Sequence, residues 1–385
     1  MSNLKDLKMY IKVHKDYTHN NFYIWQRKRF NILVKKDRPI GGKWSYDVKN
    51  RKPFPKSFET NKRMNFKPKL VSNKYINGAK KYIEKHFKDS PGSTNFFLPI
   101  DHNSTKRYFT KFLKERLRCF GPYQDAVHKD ILFGCHSVIS PLLNIGIITP
   151  NYVVKKLIKY GKKYRVPLYS LEAIIRQIIG WREYVRMLYM FERKKLSSGN
   201  FLNHKRKLGD YWFKYVTDRS TGFMIIDDMI NKVMDYGYLH HIERLMYIGN
   251  YMLINKIHPK QCFIWMMVMF QDAYNWVMYP NVYGMSQYSA GPIMMSRPYF
   301  SSSNYIDKMS NYDKKKNKYK KLKLGDNDYE WFKVWDAIYY NFISTHKSKF
   351  KDNYAISRQI KHWDNKNKSE QKKIKQLANL YMDTY

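Results

Sequence analysis

From about Tyr75 to Phe350 the apolar residues recur at three- and four-residue spacing, and alternating apolar–polar runs are almost absent. That spacing predicts helices, each burying one apolar stripe, and restricts the chain to an all-α architecture. Candidate helices cover Asn151–Tyr164, Leu168–Arg193, Met224–Tyr236, Leu239–Asn255, Pro259–Val277 and Tyr329–Phe350. Residues 1–65 read instead as an extended connector, broken at Pro39-Ile-Gly-Gly and Arg51-Lys-Pro-Phe-Pro, with one short helix near Asn21–Phe30. Residues 66–350 then form the helical body, and 351–385 a basic tail ending in a short amphipathic helix. The lysine run Lys314–Lys323 reads as a solvated loop.

Charge narrows the partners. With 72 Lys and Arg against 31 Asp and Glu, the 385-residue chain carries a net charge of +41. A polyanion offsets such self-repulsion, so DNA leads and an anionic membrane surface follows; a low-GC genome also enriches Lys. The longest apolar run, Phe263–Phe270, is far short of the roughly 18 residues that a spanning helix needs. The first residues carry no apolar signal core, which points to an intracellular protein. Cys119, Cys135 and Cys262 are scattered, which excludes a disulfide framework and a four-cysteine cluster and suggests a reducing setting.

Three segments could carry chemistry. Ser137 and Ser140, the latter followed by Pro141, read either as a plain helix cap or as a phosphate-sized cradle at a helix start. Gln177, Trp181 and Tyr184 share one helical face, as an aromatic core stripe or as a surface for a flat ring. His241 and Arg244 lie at i, i+3, and a buried arginine needs a carboxylate, which Asp272 offers. Adjacent His240 and His241 lack a further ligand set at zinc-like spacing, so no metal is expected. P-loop, dinucleotide-fold, nucleophile-elbow and zincin signatures are missing.

In order along the chain, these segments resemble the prokaryotic (6-4) photolyases and iron–sulfur bacterial cryptochromes, the deoxyribodipyrimidine photolyase-related proteins. The matching stretches are Gly41–Lys52, Phe120–Ala126, Ser137–Pro141 and Gly180–Tyr184, with the densest from Gly237 to Met309. The resemblance implies a photolyase/cryptochrome-type helical domain that binds FAD, with a damaged base flipped out of double-stranded DNA over the flavin. Carried over, Ser137 and Ser140 would face the FAD phosphates and Tyr123 the cofactor. Gln177 and Arg182 would border the flavin, Trp181 and Tyr184 the lesion, and Arg244 would pair with Asp272. His241, with His240 beside it, would assist proton transfer, and Trp265 would lie on the electron route. The implied activity is light-driven repair of (6-4) pyrimidine photoproducts by an electron from reduced FAD.

The sequence departs from that pattern in three ways. The opening resembles the connector that follows the family's α/β antenna domain, so antenna lumazine is not expected and a separately encoded antenna chain is a candidate partner. The four cluster cysteines are replaced by Ile225, Asp313, Lys316 and Tyr329, so an iron–sulfur cluster is not expected; packing of Tyr329, Trp331, Phe332 and Trp335 would hold that region instead. The acidic residue near flavin N5 becomes Met278, and the tryptophan expected near Val216–Thr217 is missing, with Trp212 nearby but out of register. These losses support the alternative of a non-catalytic relative that keeps the fold and binds DNA or a partner chain.

Overall fold

The computed structural model describes residues 2–14, 18–58, 68–197, 199–215, 221–314 and 321–385. Their helices are α1 Leu4–Val13, α2 His19–Arg29, α3 Lys74–His86, α4 His102–Glu115, α5 Leu117–Phe120, α6 Ser140–Asn144, α7 Pro150–Lys163, α8 Leu168–Ile175 and α9 Glu183–Ser197. There follow α10 Met224–Tyr236, α11 Asn250–Ile254, α12 Pro259–Met269, α13 Asn275–Met278, α14 Ser303–Met309, α15 Trp331–Phe350, α16 Tyr354–Asp364 and α17 Lys368–Thr384. Among the described residues the strands form two small antiparallel pairs, β1 Val34–Lys35 with β2 Arg38–Pro39, and β3 Leu322–Leu324 with β4 Asn327–Tyr329, beside one isolated bridge between Arg206 and Ile257. The all-α expectation holds.

Local chemistry explains the helix ends. Thr149 accepts the Tyr152 N–H ahead of α7, whose first residue is Pro150, preset for a helix start. Gly237, at φ 58°, closes α10 in the left-handed conformation that glycine adopts without strain. Segments Arg176–Arg182, Glu243–Gly249 and Tyr279–Ser286 are wound as π-helix. Each contains one glycine against a tight neighbour. A Cβ at Gly180 would stand 3.0 Å from His19 Nε2 and from Tyr23 Cδ2. At Gly249 it would meet the Ser286 hydroxyl, and at Gly284 it would lie 2.9 Å from the Met294 sulfur.

The chain divides into two compact units. The first comprises Met1–Lys81, Phe96–Arg193 and Gln271–Pro280; the second comprises Tyr82–Asn95, Lys194–Phe270 and Asn281–Tyr385. Leu7, Phe22, Phe109, Phe112, Leu157 and Ile179 are buried in the first, and Ile226, Trp265, Val282, Ile338 and Phe342 in the second.

Several expectations change. The stretch 1–65, expected as a connector, holds α1 as well as α2 in its described residues, and Leu7 and Phe22 are buried in the first unit's core. The 351–385 tail is two helices whose Ile356, Trp363, Ala378 and Tyr381 are buried, so it packs as body. The helix expected over Pro259–Val277 breaks where Phe270 turns extended, and α13 begins only at Asn275. Of the lysine run, 315–320 lies outside the described residues, but Leu322 is a buried strand residue rather than solvated loop. Cys119 and Cys135 are joined as a disulfide, Cα–Cα 5.8 Å, which corrects the reading of scattered thiols; only Cys262 is a free cysteine. A turn through Gly134, at φ 52°, precedes Cys135, and spacing alone carried no sign of the pairing.

Candidate functional site

In the first unit the strongest cluster surrounds Arg182. Its guanidinium donates to Asn144 Oδ1 (2.6 Å) and to the Leu143 carbonyl (3.2 Å) and lies 4.7 Å from the Trp276 ring centroid. Among the described residues it has no carboxylate partner within ion-pair distance. Burial lowers its pKa to about 10, with the Glu183 charge opposing and Arg186 adding to the fall. Asn144 also donates to the Asp272 carbonyl (2.7 Å).

Ser140 is the first residue of α6, not its cap: Ile139 holds the cap position, and the Ser140 hydroxyl donates to Asp272 Oδ2 at 2.7 Å. Its one proton is therefore directed to a carboxylate in this arrangement. Between the two serines, Val138 is buried at φ 53°, a costly conformation for a β-branched residue. Such strain persists only where surrounding structure imposes it, and it clusters at binding sites. Ser137 is half-buried.

Gln177 donates to Gln124 Oε1 at 3.4 Å. Tyr123 packs against Phe54 and Phe58, at 5.6 and 4.8 Å between ring centroids. Next to it, burial and then the Asp47 charge raise the Asp125 carboxyl to about 6. Trp181 is stacked on His19 at 3.6 Å and 9°, and Tyr184 meets both rings edge-on. Tyr184 is 1% exposed, so the aromatic-core reading applies to it, and one face of Trp181 is covered by the chain's own imidazole. The π-winding also alters the register in which Gln177, Trp181 and Tyr184 were expected to align. Met278 ends α13, buried.

In the second unit His240 caps the helix that begins at His241. Glu243, three residues on, accepts the His240 backbone N–H (3.0 Å) and pairs with Lys232 (2.6 Å), the return half of a capping box. His240 is buried, and desolvation followed by the charges of Lys232, His241 and Arg244 holds its imidazole well below the usual range. Desolvation by the surrounding protein and then the Arg244 charge push the His241 imidazole down to about 4. Arg244 donates from Nε to the Leu239 carbonyl (2.7 Å) and lies 4.0 Å from the Phe270 ring centroid. Asp272 belongs to the other unit. Among the described residues no group of three or more His, Cys, Asp or Glu could hold a metal.

Trp265 is fully buried, and its indole N–H donates to the Trp212 carbonyl (2.7 Å) with the two rings 5.2 Å apart at 87°. Trp212, out of register in sequence, lies against Trp265 in space; Val216 and Thr217 lie outside the described residues. Of the positions expected to replace cluster cysteines, Ile225 is core and Lys316 lies outside the described residues; nearby, Trp335 packs on Phe223. Sequence reasoning missed Asn144, Trp276 and His19. Asn144 stands four residues after Ser140, a usable helical signal; His19 carried none.

The family described as deoxyribodipyrimidine photo-lyase-related protein matches residues 1–98. A (6-4) photolyase of Agrobacterium fabrum is 31% identical over 350 residues, which is 91% of this chain and 67% of that protein. Likeness of this extent puts the chain among the photolyase relatives. An uncharacterized protein of Acanthamoeba polyphaga mimivirus is 41% identical over 116 residues, 30% of this chain and 85% of its own length. The chain belongs to the photolyase-related family. A solved class III photolyase from Agrobacterium tumefaciens is 16% identical, covering 62% of this chain and 48% of its own, with a TM-score of 0.40. For a Synechocystis cryptochrome, also 16% identical, the values are 55%, 46% and 0.43. The chain spans about half the length of these two solved proteins. Among the described residues no helix is long and apolar enough to cross a membrane.

Proposed function

We propose that this chain is a flavin-binding protein acting on damaged double-stranded DNA, with an activity that resembles light-driven repair of (6-4) pyrimidine photoproducts. The observation that carries the reading is the (6-4) photolyase of Agrobacterium fabrum, 31% identical across 91% of the chain. FAD fits the donor set of the first unit. Arg182 is a half-buried cation without a carboxylate, flanked by the Asn144 amide, and a phosphate supplies the missing negative charge. FAD, when bound, would supply single-electron donation in light.

The chain's own residues divide the remaining work. Arg182 and Ser137 would hold phosphate, with Ser140 positioning Asp272 rather than donating itself. Tyr123, Gln177, Asp272 and Met278 are the further proposed flavin contacts of the first unit, and Arg244 is a proposed cofactor-binding residue of the second. His241, neutral at pH 7, is a proton acceptor able to serve the reacting lesion, with buried His240 setting its backbone. Trp181 would stack on the lesion with Tyr184 behind it, and Trp265 with Trp212 would relay electrons. Extruding a damaged base costs a few kcal/mol, less than for an intact one. The net charge of +41 supplies phosphate attraction. A separately encoded antenna chain is a further proposed partner.

One observation favours the alternative of a non-catalytic relative: buried Met278, a thioether where a carboxylate or amide would stabilise reduced flavin. The absorption spectrum of the purified chain after incubation with FAD separates the readings. A bound flavin band, weakened in Arg182→Gln, together with light-dependent reversal of (6-4) lesions, supports repair. Absence of light-dependent reversal, with or without bound flavin, supports the non-catalytic relative, and a chain that retains no flavin ends the repair reading.

A further inference from the structure

In the second unit, away from every residue assigned above, the backbone of Arg206 runs beside Lys256–His258. The Arg206 N–H donates to the Lys256 carbonyl (3.2 Å), and the His258 N–H donates to the Arg206 carbonyl (2.7 Å). The Arg206 guanidinium donates to the carbonyls of Asn255 (3.2 Å) and Met382 (2.9 Å). Lys256, held at φ 58°, sends its ammonium to Thr345 Oγ1 (2.8 Å) on α15, one residue from His346. Lys349, a turn further along α15, donates to the Phe201 carbonyl. His204 and His346 meet Nε2 to Nε2 at 3.0 Å.

Every acceptor in this cluster is neutral. Among the described residues, no Asp or Glu lies within 4.0 Å of Arg206, Lys256, Lys349 or Lys375. Phe342 packs on both imidazoles and Phe350 on His346, and the titratable groups acting on the pair are all cationic or imidazole: Lys256, His258 and Lys349 toward His204, and Lys256 and Lys349 toward His346. Arg206 and Lys375 in turn face Lys256, whose pKa falls to about 8 through burial and then those two charges. The cluster is reachable: Lys349 and Lys375 are exposed, and Arg206, Lys256 and His258 are half-buried. His204, 2% exposed, also leaves its Nδ1 buried without a hydrogen-bond partner. Like charges held together with no counter-charge raise the free energy of the fold, and a multivalent oxyanion removes that cost while accepting several hydrogen bonds.

We propose that Arg206, Lys256 and Lys349, around the His204–His346 pair, form a binding site for a phosphate-class oxyanion. Free phosphate and the phosphodiester of a nucleic acid share that chemistry. The site is independent of the flavin reading, and its test needs neither flavin nor lesion.

The test titrates the full chain with inorganic phosphate and pyrophosphate by calorimetry, at an ionic strength held constant with chloride. Saturable heat is expected, tighter for pyrophosphate, with affinity falling about tenfold or more in Lys256→Gln/Lys349→Gln as charge-assisted hydrogen bonds are lost. The Lys256→Arg/Lys349→Arg variant should retain binding, which separates lost charge from lost fold. Imidazole NMR supplies a second readout, because bound phosphate should move the His346 titration upward in the wild-type chain only. Competition by a short oligonucleotide identifies the source as nucleic acid, and its absence identifies free anion; both outcomes support the site. Binding that follows ionic strength alone, or that is unchanged in the Gln variant, overturns the proposal.

Discussion

In the first unit the buried guanidinium of Arg176 is matched on two sides: Glu172 Oε1 at 3.1 Å and Asp47 Oδ1 at 3.0 Å. Glu172 is fully buried and also accepts from the Tyr23 hydroxyl (2.9 Å) and the Tyr46 N–H (3.1 Å). In the second unit Arg206, Lys256 and Lys349 meet only neutral oxygens, and two imidazoles among them stay uncharged. The first arrangement locks a fold, because each buried charge has its compensation built in. The second leaves positive charge for something outside the chain to compensate. Arg182 repeats the second arrangement inside the first unit, which is why it anchors the flavin proposal.

The contrast can be broken by measurement, beginning with the matched charges. Arg176→Ala leaves Glu172 buried and uncompensated and should cost about 3–5 kcal/mol in denaturant unfolding. A loss below 1 kcal/mol would mean that the network is not a lock. Acid should then act on the unmatched region. His204 is lowered to about 3 and His346 to about 4, so the unfolded chain takes up protons first as pH falls below 6.5. Stability present above pH 6.5 is lost toward pH 4, at about 1.4 kcal/mol per pH unit for each imidazole. Stability measured from pH 7.5 to 5 should therefore slope downward, and His204→Asn/His346→Gln should flatten that slope. Near Arg176, Gly180→Ala should cost about 1–3 kcal/mol through crowding against His19 and Tyr23. A neutral result would show that α2 shifts freely. The smallest effect is expected from Ser140→Ala, about 1.5 kcal/mol for one hydrogen bond to the Asp272 carboxylate. A greater effect on flavin retention than on stability would restore Ser140 to direct phosphate contact.

Legibility in the sequence followed the range of the interaction. Met224–Tyr236 emerged with its own boundaries because periodicity and Gly237 act within a few residues. The His240–Glu243 cap is equally local but went unread, because histidine is not among the usual capping residues. The break after Met269 was invisible, since Phe263–Val277 is apolar enough to continue as helix and only packing turns Phe270 extended. The π-turns, the Cys119–Cys135 bond and the His19–Trp181 stack depend on partners far along the chain, to which periodicity is blind.

Taken alone, the amino-acid order settled the helical class, the excess of positive charge and, through its ordered motifs, family membership. Those properties are sums over local spacing, composition and residue identity, and they need no knowledge of what meets what. Tertiary structure alone decided that the Ser140 proton goes to Asp272, that Trp212 lies against Trp265, and which cations go without a carboxylate. Each of these depends on distances of a few ångströms between residues dozens or hundreds apart, and electrostatic compensation is a property of that proximity.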